Sequence, residues 1–235
     1  MEQFASKNEF DAYRTTYADA VNGCISFSGL DLDFFARAKA ARLLDLLTKH
    51  FGQISGLSGL DVGCGVGTYH GLLEGQVGRL IGVDTSLECL DQARSNHPDA
   101  SYSHYDGGRL PFADGQFDFS YAICVMHHVP KSQWALFATE MVRVTRGGGL
   151  VMLFEHNPYN PLTQRAVSNC AFDANAVLLT KREAMRYFIG AGLRGVTGRY
   201  ILTLPATSGI LGFADDLLGA MLPIGAQYYV VGCST

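Results

Sequence analysis

The sequence is short of several things, and each absence narrows what the protein does. Its 18 Lys and Arg residues form no dense block and the net charge is −4, which argues against a chain whose main task is gripping nucleic acid. None of its six cysteines, Cys24, Cys64, Cys89, Cys124, Cys170 and Cys233, forms a CxxC pair. Zinc-type spacing is therefore missing, no metal site is expected, and a disulfide framework belongs to much smaller chains. Free thiols and a cytoplasmic location are the expectation. The stretch MEQFASKNEFDAYR is charged and lacks an apolar centre, so no secretory leader is expected. No unbroken apolar run reaches the roughly 20 residues of a membrane span; the nearest, Gly209 to Val231, is interrupted by Asp215, Asp216 and Pro223. Internal repeats and low-complexity linkers are absent as well.

What is present describes a folded protein: 235 residues, 48% hydrophobic and 17% charged, enough for one domain with a substantial core. The chain reads as an N-terminal helical extension over 1–52 and a core over 53–235, with an apolar insertion at about 203–224. In the extension, residues 4–22 read as a helix. Residues 31–51 read as a second, capped by Asp31 or Asp33, with Phe34, Ala38, Ala41, Leu44, Leu47 and Phe51 along its apolar stripe. From residue 57 the rhythm changes to apolar strands alternating with helices, the pattern of a mainly parallel sheet covered on both faces. KREAMRYFIGAGL is a further helix, and RGVTGRYIL and AQYYVVGC are the last two strands.

The segment LDVGCGVGTYH, Leu60–His70, places glycines at 63, 65 and 67 directly after the first of these strands. Glycine lets a backbone bend tightly and approach a ligand closely, and in an open parallel sheet ligands bind beyond the carboxyl ends of the strands. A dinucleotide fingerprint needs a sixth-position glycine, and here that position is Thr68. Asp61, just before the turn, would repel a pyrophosphate and suits a cationic or zwitterionic ligand. Asp84 ends the second strand, placed to accept hydrogen bonds from two ribose hydroxyls. Asp106 ends the third, placed to meet an adenine amino group. Three acids at neighbouring strand ends around a glycine turn describe a positively charged nucleoside without phosphates, S-adenosylmethionine (SAM).

Four segments carry a resemblance: LDVGCGVGTYH, IGVDTSLECLDQAR, YDGGRLPFADGQFDFSYAICVMHHV and RVTRGGGLVMLFEH. In order and at this spacing they resemble class I SAM-dependent methyltransferases of the small-molecule type, methyltransferase type 11 or 25-like, over roughly residues 57–156. The resemblance implies an α/β, Rossmann-like seven-stranded sheet of order 3-2-1-4-5-7-6, its last strand antiparallel, with helices on both faces and an N-terminal helical lid. It also implies roles: Gly63, Cys64 and Gly65 against the methionine portion, Asp84 at the ribose, Asp106 with Gly107 at adenine, and Ala122, Ile123 and His128 on the methyl-donor side, with Thr85 a further cofactor-binding candidate. FEHNPYNPLTQRAVSNCAFDANAVLL looks like the matching region of bacterial methyltransferases found with glycan or specialised-metabolite pathways.

Methyl transfer from a sulfonium needs alignment and exclusion of water more than a nucleophilic side chain or a metal. A base matters when the acceptor is an alcohol whose proton must leave. His128 and His156 are the candidates, each with the plain alternative of a structural histidine. Tyr13 and Tyr17, a turn apart, are candidates for closing over the cofactor; packing the helix down would explain them equally. Arg37 and Lys39 read as solvating a helix face. The 203–224 insertion either covers the acceptor or forms a homodimer contact. The expectation is O- or N-methylation of a small, sugar-like or specialised metabolite. The rivals are another SAM chemistry on the same fold, such as cyclisation or rearrangement, a SAM-binding protein without turnover, and a dehydrogenase.

Overall fold

The computed structural model describes residues 16–204, 215, 217–220 and 222–235. Tyr13, most of the 4–22 helix, and Leu211, Phe213 and Met221 of the insertion lie outside them. Helix α1 is Tyr17–Ile25, and α2 is Leu32–Phe51, capped by Asp31, whose Oδ1 accepts from Phe34 N at 2.8 Å. The buried face of α2 is Ala36, Lys39, Ala40, Leu43 and Leu47. The predicted stripe is therefore rotated: Ala41 is exposed, and Lys39 lies on the inner face rather than in solvent. Arg37 does face solvent, paired with Asp33.

Seven strands follow: β1 Ser58–Val62, β2 Arg79–Asp84, β3 Ser101–His104, β4 Phe117–Ile123, β5 Thr145–His156, β6 Arg194–Ile201 and β7 Gln227–Cys233. Their order is β3-β2-β1-β4-β5-β7-β6, with β7 antiparallel to both neighbours. The helices between them are α3 His70–Leu73, α4 Leu87–Asn96, α5 Trp134–Val144, α6 Pro161–Asn169 and α7 Lys181–Gly190. Turn chemistry sets several boundaries. Ser86 Oγ caps α4 by accepting from Cys89 N, Asn160 Oδ1 accepts from Leu162 N and Thr163 N ahead of Pro161, and Thr180 with Glu183 forms a capping box.

Alternation along the central strands builds two cores at once. Leu150, Met152 and Phe154 of β5 join Leu43 and Leu47 of α2 on one face. Val151 and Leu153 join Trp134, Met141 and Phe188 on the other. Both sides of β5 are thus apolar, which is why it reads as a continuous hydrophobic run. The order reverses between β1 and β4, so a crevice opens at their carboxyl ends. Among the described residues no helix is long and apolar enough to cross a membrane.

The expectation of free thiols fails at two positions. Cys24 of α1 and Cys170, just after α6, form a disulfide across 146 residues, with Cα atoms 5.3 Å apart. Phe172 and Tyr17 pack around it, their rings 5.6 Å apart. Neither spacing nor composition reveals such a pair, because the two cysteines meet only when the helices roof the sheet. Cys64, Cys124 and Cys233 keep free thiols.

Candidate active site

The glycine turn is tied to the neighbouring strand: Gly63 N and Cys64 N both donate to Val83 O, at 2.8 and 3.1 Å. Gly63, Gly65 and Gly67 have φ of +77°, +52° and +79°, which L side chains resist. A Cβ on Gly63 would sit 2.5 Å from Val125 Cγ1, whereas one on Gly65 would meet open space. Gly63 thus serves packing and Gly65 leaves room in the cavity wall. Asp84 bridges the mouth of the turn, Oδ2 accepting from Gly65 N at 2.8 Å and Oδ1 from Ser86 N at 2.9 Å. Burial raises its pKa, and the backbone N–H groups only partly offset that.

A cavity of about 600 Å³ opens here and runs under α1 and α6. At its cofactor end the wall includes Asp61, Gly63, Cys64, Gly65, Asp84 and Thr85, then Tyr105, Gly107 and Ile123. Asp61 is 1% exposed, and its Oδ2 has no hydrogen-bond partner; His70 Nε2 stands 3.5 Å away. A buried, under-satisfied carboxylate oxygen beside an open glycine turn fits a cationic group and rejects a phosphate. These residues fit S-adenosylmethionine.

The opposite end is lined by His127, His128, His156 and Asp173. Glu155, fully buried near the end of β5, organises it. Its Oε1 accepts from Met126 N at 2.8 Å and Val125 N at 3.2 Å, and its Oε2 accepts from His127 Nδ1 at 2.6 Å. The other ring nitrogen of His127, Nε2, lies 3.7 Å from Asp173 Oδ1, and His128 Nε2 lies 3.3 Å from the same oxygen. Val177 N donates to His127 O at 2.9 Å, pinning the segment after α6 against the β4 turn. Burial alone would lower the pKa of His127, but Glu155 and Asp173 outweigh it and hold that pKa above the ordinary range. Burial, reinforced by His127, takes His156 down to about 4 and His128 to about 3. Lys39 enters the same chamber from α2, its Nζ 3.8 Å from Cys124 Sγ.

Comparison with known proteins bears on the central part of the chain. Residues 60–153 match the family described as "Methyltransferase domain". A malonyl-[acyl-carrier protein] O-methyltransferase of Pectobacterium atrosepticum is 35% identical over 116 residues, 49% of this chain and 43% of that one. Among solved structures, a possible histamine N-methyltransferase of Thermotoga maritima superposes with a TM-score of 0.68 at 16% identity, covering 97% of this chain and 98% of that one. A geranyl diphosphate C-methyltransferase of Streptomyces coelicolor, in complex with Mg2+, geranyl diphosphate and S-adenosyl-L-homocysteine, gives 0.57 at 18% identity, covering 83% and 79%. Residues 60–153 thus resemble a methyltransferase domain in sequence, and the chain as a whole has the fold of SAM-dependent methyltransferases. The matched stretch spans less than half the length of the first curated relatives.

Within this fold the residues singled out from the sequence fall in different places. Gly63, Cys64, Gly65, Asp84, Thr85, Gly107, Ile123, His128, His156 and Tyr17 all reach the cavity. Ala122 instead packs into the core beneath the sheet. Asp106 is exposed and accepts from Gly108 N at 2.9 Å, leaving Tyr105 and Gly107 as the wall. Of the insertion, Thr203 and Leu204 reach the cavity. Sequence reasoning missed Lys39, Glu155 as the anchor of His127, and Asp173. Lys39 was detectable, since it shares a helical face with Ala36, Ala40 and Leu43; Asp173 had no local signal.

Proposed function

We propose that this protein moves a methyl group from SAM to a hydroxyl or nitrogen of a small molecule, of sugar-like or specialised-metabolite type. The observation that carries this reading is the single cavity, which joins the Asp61–Asp84 end to the histidine end under a roof of α1 and α6. A roofed chamber admits a compact acceptor and keeps bulk water from the reacting centre. SAM supplies, when bound, a methyl carbon on a positively charged sulfur that leaves as a neutral thioether. The chain's own task is placement. Asp84 holds the ribose, Asp61 faces the cationic portion, and the Gly63–Gly65 turn gives the backbone close approach. Tyr105 and Gly107 bound the adenine.

Of the two histidine candidates, His156 is the base at the acceptor, and His128, beside Asp173, is a wall of the same chamber. Burial keeps the His156 imidazole neutral, so it offers a lone pair to the acceptor proton as the new bond to carbon forms and the carbon–sulfur bond breaks. The test is incubation with SAM and hydroxylated or amino small molecules, with S-adenosylhomocysteine as the expected product. Accumulation of methylthioadenosine in its place would move the protein to the cyclisation class. His156→Ala should lower turnover at unchanged SAM affinity, and full activity in that variant would remove His156 as base.

A further inference from the structure

Three side chains, His127, His128 and Asp173, converge on the cavity wall. His127 Nε2 and His128 Nε2 stand 3.7 and 3.3 Å from one oxygen, Asp173 Oδ1, and one ligand atom from each residue lies within 4.8 Å of the others. Ligands each about 2.1 Å from a common ion lie about 3–3.5 Å apart, so little adjustment would bring all three onto one cation. His127 is aimed by its second nitrogen: Nδ1 donates to Glu155 Oε2 at 2.6 Å, and Glu155 is itself fixed by Met126 N and Val125 N. A carboxylate behind a histidine, setting its tautomer and turning Nε2 toward a common point, is the usual outer layer of a metal site. The ion pairs of Glu155 and Asp173 run to histidines, so two buried negative charges converge here. A divalent cation would balance both, taking the place of an imidazole proton. All three residues line the cavity, which leaves further coordination positions open to a bound molecule.

We propose that His127 Nε2, His128 Nε2 and Asp173 Oδ1 bind a first-row divalent transition-metal ion whose open positions, facing the cavity, take the hydroxyl oxygen of the acceptor. Two imidazoles and one carboxylate select the manganese-to-zinc series over Mg2+ or Ca2+, which prefer all-oxygen sites. The chemical use of the ion rests on the methyl-transfer reading; its binding does not. A hydroxyl held on the ion loses its proton more readily, here to the neighbouring His156 imidazole, whose ring lies 5.1 Å from that of His127. The oxygen that bonds to the methyl carbon is then already anionic as the carbon–sulfur bond breaks and the thioether departs. The acceptor class is accordingly a hydroxyl compound rather than an amine.

The test uses the full chain, stripped with a chelator and titrated with Co2+ in the absence of SAM. The expected result is one ion per chain, with the visible absorption of nitrogen and oxygen ligands and no thiolate charge-transfer band. Asp173→Asn and His128→Ala should each weaken binding at least tenfold, and Glu155→Gln about 10–100-fold. Circular dichroism establishes that the variants are folded, and the isosteric Asp173→Asn is the variant least able to disturb packing. Failure to bind Co2+, equal affinity in Asp173→Asn and His128→Ala, or a thiolate band would each overturn the site. Calorimetry with SAM runs alongside. Lost SAM binding with Co2+ retained would strike the methyl-transfer reading and leave the metal site standing. Undiminished S-adenosylhomocysteine formation after chelation would overturn the ion's use in the reaction.

Discussion

The two ends of the cavity are built on different principles. At the cofactor end, Asp61, the Gly63–Gly65 turn and Asp84 sit on or just beyond adjacent parallel strands and are held by backbone bonds such as Gly63 N to Val83 O. At the acceptor end, His127, Asp173, Lys39 and His156 come from four separate segments, and side-chain contacts and the Cys24–Cys170 bond bring them together. A site made of strand ends inherits its geometry from the sheet. A site made under a roof depends on whatever holds the roof down, which lets acceptors vary while the cofactor stays the same.

Four measurements would break or sharpen that contrast. The largest effect should come from Gly63→Ala. Left-handed backbone costs about 1–2 kcal/mol for an L residue, and a Cβ 2.5 Å from Val125 Cγ1 adds about 1–3 kcal/mol of overpacking. Chemical denaturation should show the sum, and a near-neutral result would mean that the turn is not rigidly held by the sheet. Next is the roof. Replacing Cys24 and Cys170 by serine should cost about 2–4 kcal/mol and speed amide exchange in α1 and α6 while leaving β1 and β2 protected. Uniform loss of protection would merge the two ends into one cooperative unit.

Asp84→Ala should weaken SAM binding by about 1.5–3 kcal/mol, the range for hydrogen bonds to a charged group. Calorimetry would read it, and unchanged affinity would remove the ribose assignment. The smallest effect concerns the loop that carries Tyr105 and Gly107. Glu140 accepts from Leu110 N at 2.8 Å and is doubly held by Arg143, which also donates to Phe112 O and Leu110 O. The Arg143 hydrogen bonds keep the Glu140 carboxyl below its ordinary range. The unfolded chain therefore binds the proton first. This stability is present above the unfolded pKa of about 4.3 and is lost as pH falls through the lower folded value. Glu140→Gln should cost about 1 kcal/mol near neutrality and flatten this part of the acid limb of melting temperature against pH; an identical acid limb would detach Glu140 from the loop's stability.

Legibility followed the same division. The strands, the glycine turn and the position of Asp84 at the end of β2 could be read because each depends on spacing within a strand–turn–helix unit. Errors arose where a neighbour in space decided the outcome. Asp106 turned outward to bond Gly108 N, leaving Tyr105 and Gly107 at the cavity. Ala122 faced the core because Ile123 took the other side of β4. On α2 the large Phe34 and Leu44 suggested one stripe, but small Ala36 and Ala40 with Leu43 and Leu47 made the contact, carrying Lys39 inward.

Apolar alternation, caps and glycines act over a few residues, so the amino-acid order alone determined a mainly parallel sheet with a glycine turn at its switch point. The acceptor chamber had to await the tertiary structure. Glu155 orients His127, Asp173 meets both histidines, and Cys24 reaches Cys170 only after α1 and α6 have closed over the sheet. Contacts of that range leave no period or spacing in the chain to be read.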